Sequence, residues 1–154
     1  MTAIYKTPNM QNYIPSKIIW VGILISIISI LANLIFFALT KAFGEQYIIP
    51  LTDVASITGP MPVVMVILVT FLSSLLATAL YGFLNIITPN AILPPFLSIT
   101  GTAFLVSFGG PMELPETVMQ TKILLCMMHI IAALIIIGGF YIYHLHLQNP
   151  IKIS

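Results

Sequence analysis

His129 is the residue whose type and position most invite chemistry. It sits in Leu125-Cys-Met-Met-His-Ile-Ile-Ala-Ala133, within an uncharged run. An ionisable side chain at membrane depth is a functional candidate by default. Three roles suit an imidazole there: proton relay, metal or haem ligand, or hydrogen-bond partner of a bound molecule. The plain alternative is a neutral ring bonded to Asn33 or to a backbone carbonyl, tying helices together. A haem held by two histidines of one chain is disfavoured. His144 and His146 lie about 22 Å or more of helical rise from His129.

The other candidates are sparse. His144 and His146 with Lys152 could bind a metal, but they read as tail residues at the headgroup level. Glu45, Asp53, Glu113 and Glu116 could line a cation entrance, or simply form a solvated loop surface. Cys126 is the lone cysteine, which excludes an intrachain disulfide and any multi-cysteine metal site. It reads as a small buried apolar residue, and the methionines as core filler. All five basic residues are lysines, so no bidentate arginine clamp exists. No nucleophile–base pair, zinc signature or phosphate-binding glycine loop is present. Catalytic residues, a metal and a cofactor are therefore not expected.

The elements that must position these residues are membrane spans. Of 154 residues, 59% are hydrophobic and 6% charged, and the mean hydropathy is +1.11. Soluble domains are about 25% charged. So few charges cannot solvate a globule, and disorder needs the opposite composition. No basic tract points to nucleic acid.

The sequence predicts a cytoplasmic N-terminal tail (1–17), spans at about 18–40, 62–87, 91–108 and 121–143, and a cytoplasmic C-terminal tail (144–154). The first run is too long for a signal-peptide core, and Ala38-Leu39-Thr40 is a poor cleavage site. Residues 41–61 are too polar for a span and too apolar for a free loop, so an interfacial or re-entrant segment is expected. Thr88-Pro89-Asn90 is a tight turn. Gly109-Gly110-Pro111 is expected to end the third span. Strands are not expected, because the apolar runs are long and continuous. No internal repeat supports an inverted-repeat transporter.

Lys6, Lys17 and Lys152 against Lys41 and Lys122 place both ends in the cytoplasm. All four acids then fall on the extracytoplasmic side.

Small and polar residues mark helix contacts in a membrane. Gly22, Ser26, Ser29 and Asn33 share one face of the first span. Thr70, Ser74, Thr78 and Gly82 share one face of the second. Ser98 and Thr102 mark the third, and Cys126, His129 and Ala133 the fourth. Burying these faces gives a four-helix bundle. Counting residues from each span centre puts Asn33, Thr70, Thr102 and His129 at one depth. They are expected to form a polar layer, with at least two of them facing the interior.

Ser107-Phe-Gly-Gly-Pro111 followed by Thr121-Lys-Ile-Leu-Leu-Cys-Met-Met-His129-Ile-Ile-Ala-Ala133 resembles a family of small bacterial four-span membrane proteins without assigned function. The resemblance covers residues 18–143 and is most distinctive over 90–140. It implies four spans and a buried histidine in the last helix, and no reaction. Members carry basic residues between spans two and three, where Thr88-Pro89-Asn90 has none.

The expected molecule is an all-α integral membrane protein of the bacterial inner membrane, with a thylakoid-type membrane as the other setting. Two function classes follow. One is a non-enzymatic accessory subunit or small bundle that binds lipid, quinone or protein. The other is an oligomeric transporter or channel-like protein using His129 and the acidic face. Membrane lipids, a second copy or a larger membrane complex are the expected partners. A polar, water-sized cavity joining His129 to Asp53 or Glu113 would favour transport.

Overall fold

The computed structural model describes residues 15–50 and 58–148. In order they form α1 (Pro15–Ala42), β1 (Ile48–Pro50), β2 (Thr58–Pro60), α2 (Val63–Ile87), α3 (Leu93–Ser107), α4 (Gly109–Glu113) and α5 (Met119–Gln148). Four segments are long and apolar enough to cross a membrane: Lys17–Ala42, Val63–Ile87, Leu93–Glu113 and Met119–Gln148.

The centre of the molecule is α1, packed against α2 and α5. Gly22, Ser26, Ser29 and Asn33 of α1 are all buried. Their small size is what admits the neighbouring helix. A Cβ on Gly22 would lie 2.3 Å from Thr78 Oγ1 on α2, so only glycine permits this approach. Large apolar side chains on the other faces, such as Trp20, Leu31 and Leu76, are exposed. In a bilayer that outward surface meets acyl chains.

Two apolar clusters close the ends. At the terminal end, where α1 starts and α5 finishes, Ile18, Ile25, Tyr81, Leu84, Ile92, Phe96, Ile136 and Phe140 pack together. At the other, ribbon end, Phe37, Tyr47, Ile49, Met61, Val66, Leu125 and Met128 do so.

The described part of 41–61 is a short antiparallel ribbon folded onto the end of the bundle. β1 and β2 pair antiparallel, with Ile48 opposite Pro60, Ile49 opposite Gly59 and Pro50 opposite Thr58. Gly44, Pro50, Gly59 and Pro60 disfavour a helix here, while Ile48, Ile49 and Thr58 suit strands. The long-run argument against strands holds for the spans but not for this short ribbon. Entry into it is set by the end of α1. Gly44 takes φ +100°, its N–H bonds to Lys41 O, and the Glu45 N–H bonds to Thr40 O. This is a Schellman ending, which needs a left-handed residue. Tyr47 then turns under the bundle, its ring 4.7 Å from Phe37. Burial raises the pKa of its phenol. Its hydroxyl lies 2.5 Å from Thr40 Oγ1 and is the donor of that pair, because the Thr40 hydrogen is already taken. Thr40's own hydrogen goes to the Phe36 carbonyl.

The third spanning segment also differs. It does not stop at Gly109-Gly110-Pro111 but passes through a single turn residue, Phe108, still with helical torsions, and resumes as α4. Pro111 has no N–H to give the Ser107 carbonyl, so the break falls one turn before it. The Phe108 carbonyl still accepts from the Met112 N–H at 3.2 Å. Phe96 is the one buried residue of α3. The helix is held at its start and stands off further along, so the molecule is a three-helix core with a partly attached fourth span. At the C-terminal side, α5 runs past the expected end at Tyr143 to Gln148. Its first sequence breaker is Pro150, which disfavours helix in the preceding residue.

A candidate amphiphile cleft

Where α3 stands away from the core, a cleft of about 830 Å³ opens between α2, α3 and α5. Asn33 of α1 contributes to its lining, and Ile49, Pro50 and Met61 of the ribbon close one end. The volume falls in the range of about 300–1,000 Å³ typical of small-molecule sites. The lining is mostly apolar. Among the described residues, its side-chain polar groups are Asn33, Thr70, Ser73, Thr100, Ser107 and His129, with no lysine, aspartate or glutamate.

Asn33 and Thr70 meet. Asn33 Nδ2 donates to Thr70 Oγ1 at 3.0 Å, bridging α1 and α2. Both residues are buried, at 3% and 4% exposure. Asn33 Oδ1 is buried without a hydrogen-bond partner among the described residues. One turn further along each helix, Ser29 and Ser74 are fully buried, and their hydroxyls are likewise unpartnered.

His129 is half-buried on α5. Its Nδ1 lies 2.8 Å from the Leu125 carbonyl. A carbonyl oxygen can only accept, so Nδ1 carries the hydrogen and donates. In the neutral ring Nε2 then keeps a free lone pair. The structure pairs His129 with the backbone and not with Asn33, although both line the same cleft.

Thr102 does not join them. It is exposed on α3, and Thr100, two residues earlier, lines the cleft instead. Ser98 is exposed as well. A depth count cannot tell which way a helix turns, and here one buried anchor, Phe96, decides the rotation of α3.

The hydroxyls on the cleft wall donate mainly to their own helices. Ser73 Oγ bonds to Val69 O at 2.9 Å, Thr100 Oγ1 to Phe96 O at 2.6 Å, and Ser107 Oγ to Phe104 O at 2.6 Å. Their hydrogens are spent, and what they present to the cleft is lone pairs. Counting rise from the nearest helix end puts Asn33, Thr70 and His129 about 10–15 Å in from the ribbon end.

Of the acidic residues, Glu45, Glu113 and Glu116 do not line this cleft. Glu45 is half-buried and accepts a hydrogen bond from Gln120 Nε2. Glu113 and Glu116 are exposed. Asp53 lies outside the described residues. A separate hollow of about 390 Å³ is lined by Lys41, Gly44, Glu45, Gln46, Ile48 and Pro60. No cluster of three or more histidine, cysteine or acidic residues that could hold a metal occurs among the described residues.

The sequence reading missed a second polar centre. His144 is not a headgroup-level tail residue but is buried at 7% exposure. Its Nδ1 lies 3.1 Å from the Tyr81 hydroxyl, and its Nε2 lies 3.0 Å from Gln148 Nε2. An amide nitrogen can only donate, so Nε2 accepts and Nδ1–H donates to Tyr81. Tyr81 is fully buried, stacked on Phe140 at 4.9 Å and edge-on to Phe96 at 5.3 Å. The spacing of Ile136, Phe140 and His144, four apart, is the signal that could have placed His144 on the buried face.

A protein-family profile matches residues 15–143; it describes a family of unknown function (DUF6069). No curated protein and no solved structure matches the chain.

Proposed function

Because the chain belongs to DUF6069, a family of unknown function, we propose its role from the cleft: it is a non-enzymatic membrane component that holds an amphipathic molecule, a lipid or isoprenoid quinone, between α2, α3 and α5. One observation carries this reading. Among the described residues its lining is mostly apolar and carries no charged side chain, and it holds a short row of polar side chains. An apolar pocket with a few convergent polar groups is the usual form of a small-molecule site. A charged solute would meet no counter-charge there, at a depth where an unpaired charge is costly.

The second reading, an oligomeric transporter or channel-like protein, draws on the free Nε2 of His129. Against it, none of Glu45, Glu113 and Glu116 lines the cleft. The setting that fits the lysine distribution is a bacterial plasma membrane with both ends cytoplasmic. Lipid surrounds the bundle, and a second copy or a larger membrane complex would pack on its exposed apolar faces.

The test is extraction of the full chain in mild detergent, followed by native mass measurement and lipid identification. Wild type is expected to retain an amphiphile, and Ala133→Phe, which fills the cleft, to lose it. A wild-type chain that emerges bare, and takes up no added lipid or quinone, overturns the proposal.

A further inference from the structure

We infer that the cleft fills sideways from the hydrocarbon layer, through a mouth between α2 and α3, and that its occupant is an isoprenoid quinone and not a lipid with a charged head. This deepens the amphiphile-binding reading and rests on it.

Packed clusters close the ends of the cleft. Toward the ribbon, Ile49, Met61, Val66, Leu125 and Met128 belong both to its lining and to one apolar cluster. Toward the terminal end the lining stops at Leu80 and Ile137. There it abuts the cluster that holds Tyr81, Phe96 and Phe140, each fully buried.

The side is open. On α2, Met65, Val69, Ser73 and Leu76 recur at helical spacing on one face, and each lines the cleft and is exposed. Ile99 and Ala103 do the same on α3. The α5 wall differs: His129, Ala132, Ala133 and Ile137 are half-buried and form the floor. Counted from the ribbon end of α2, the exposed rim runs from about 3 to about 20 Å along a helix about 37 Å long.

A lipid that keeps a charged head at the membrane surface could reach this cleft only with a tail. The head cannot follow, because the lining holds no charged side chain among the described residues, and an unpaired charge in an apolar site is costly. The tail would then lay methylenes against His129 and Thr70. An isoprenoid quinone is uncharged and enters whole. Its head also suits both kinds of polar atom on the row. Thr70 keeps a hydroxyl hydrogen, and Asn33 Nδ2 a second one, beside the bond that joins them. His129 Nε2 keeps a lone pair, because Nδ1–H is committed to the Leu125 carbonyl. A ring that presents carbonyls when oxidised and hydroxyls when reduced can use either set. The polar side chains also stand on different walls: Thr70 and Ser73 on α2, Thr100 and Ser107 on α3, His129 on α5. Oxygens on opposite edges of a ring meet two walls at once. A diacylglycerol gathers its oxygens at one point beside two tails.

The experiment uses the purified full chain in nanodiscs of saturated phosphatidylcholine. The probe is a photoreactive azido-ubiquinone with a short isoprenoid tail, and label positions are read by peptide mass. Label is expected within the lining segments 65–80, 99–107 and 125–137. It should be lost on adding ubiquinone or menaquinone of the same tail length, and kept on adding phosphatidylglycerol or diacylglycerol. The mouth is tested with Leu76→Cys and Ala103→Cys in a Cys126→Ser chain, two positions each about 15 Å from the turn that joins α2 to α3. Bridging them with a reducible bismaleimide before the probe is added should abolish labelling, and reduction should restore it. If that chain does not fold, Ile99→Trp, which narrows the same mouth, replaces it and should weaken labelling. Displacement by phosphatidylglycerol or diacylglycerol as readily as by quinone overturns the quinone assignment and leaves amphiphile binding intact. Labelling that persists through the bridge, or is unchanged in Ile99→Trp, overturns the sideways route. A wild-type chain that takes no label and emerges bare from mild detergent overturns the amphiphile reading itself.

Discussion

The two buried halves of this bundle each hold a histidine with Nδ1–H bonded, and they treat the other nitrogen differently. At the terminal end, His144 Nε2 accepts from Gln148 and Nδ1–H reaches Tyr81. Tyr81 is wrapped by Phe96 and Phe140 and is fully buried. Toward the ribbon end, His129 Nδ1–H is bonded to its own helix and Nε2 has no partner among the described residues. Asn33 Oδ1 is unpartnered too, and both residues contribute to the lining of the cleft. Asn85 Oδ1, one turn beyond Tyr81, is also unpartnered, but Asn85 does not line the cleft. The lesson is physical. A buried polar group satisfied inside the protein is architecture, and one left unsatisfied beside a cavity is an invitation to a ligand.

The strongest way to test the contrast is to remove the aromatic centre. Tyr81→Ala should destabilise the fold by about 3–5 kcal/mol, the usual cost of deleting a buried ring, read as lowered thermal unfolding in detergent. Ala133→Phe at the cleft should leave that unfolding temperature unchanged or raised. Equal losses from both would erase the distinction between a packed end and an open one.

Gly22→Ala comes next. Its Cβ would overlap Thr78 at 2.3 Å, so α1 and α2 must part. A cost of about 1–3 kcal/mol is expected, and Thr78→Ala in the same chain should recover only part of it, because the Thr78 Cβ itself lies 2.9 Å away.

Tyr81→Phe keeps the ring and removes the hydroxyl beside His144. A loss of about 1 kcal/mol is expected, since buried hydrogen bonds within membranes are worth that or less. The smallest effect belongs to Asn33→Leu, which removes the Thr70 bond and the orphaned oxygen together. Stability should change by less than about 1 kcal/mol, while retention of a co-purifying amphiphile should fall. A large stability loss with ligand retained would mean that Asn33 is architecture like Tyr81.

Much of this was legible from residue order. The buried face of α1, Gly22, Ser26, Ser29 and Asn33, follows from small and polar residues at helical spacing, because close approach is what joins helices in lipid. The four apolar segments follow from length and composition alone. Asn33 and Thr70 could be placed at one level because rise per residue is constant. Thr102 could not be resolved the same way. Rise sets depth, but rotation about the axis depends on which side chain anchors the helix, and Phe96 anchors α3 from another turn. His144 was hidden because a span boundary was drawn at the last interfacial tyrosine, whereas backbone hydrogen bonds carried the helix onward to Gln148. The ribbon escaped notice because three-residue strands leave no alternation to read.

What the sequence determined by itself is a chain that must satisfy its backbone in lipid, which compels helices, and one ionisable ring, His129, well inside them. What only the tertiary structure decided is which polar atoms find each other. Hydrogen-bond partners on α1, α2 and α5 are far apart in the chain, and α3 is buried only at Phe96. Composition and spacing give each helix its face. Whether a lone pair on that face is spent or free depends on how neighbouring helices rotate and how far they separate.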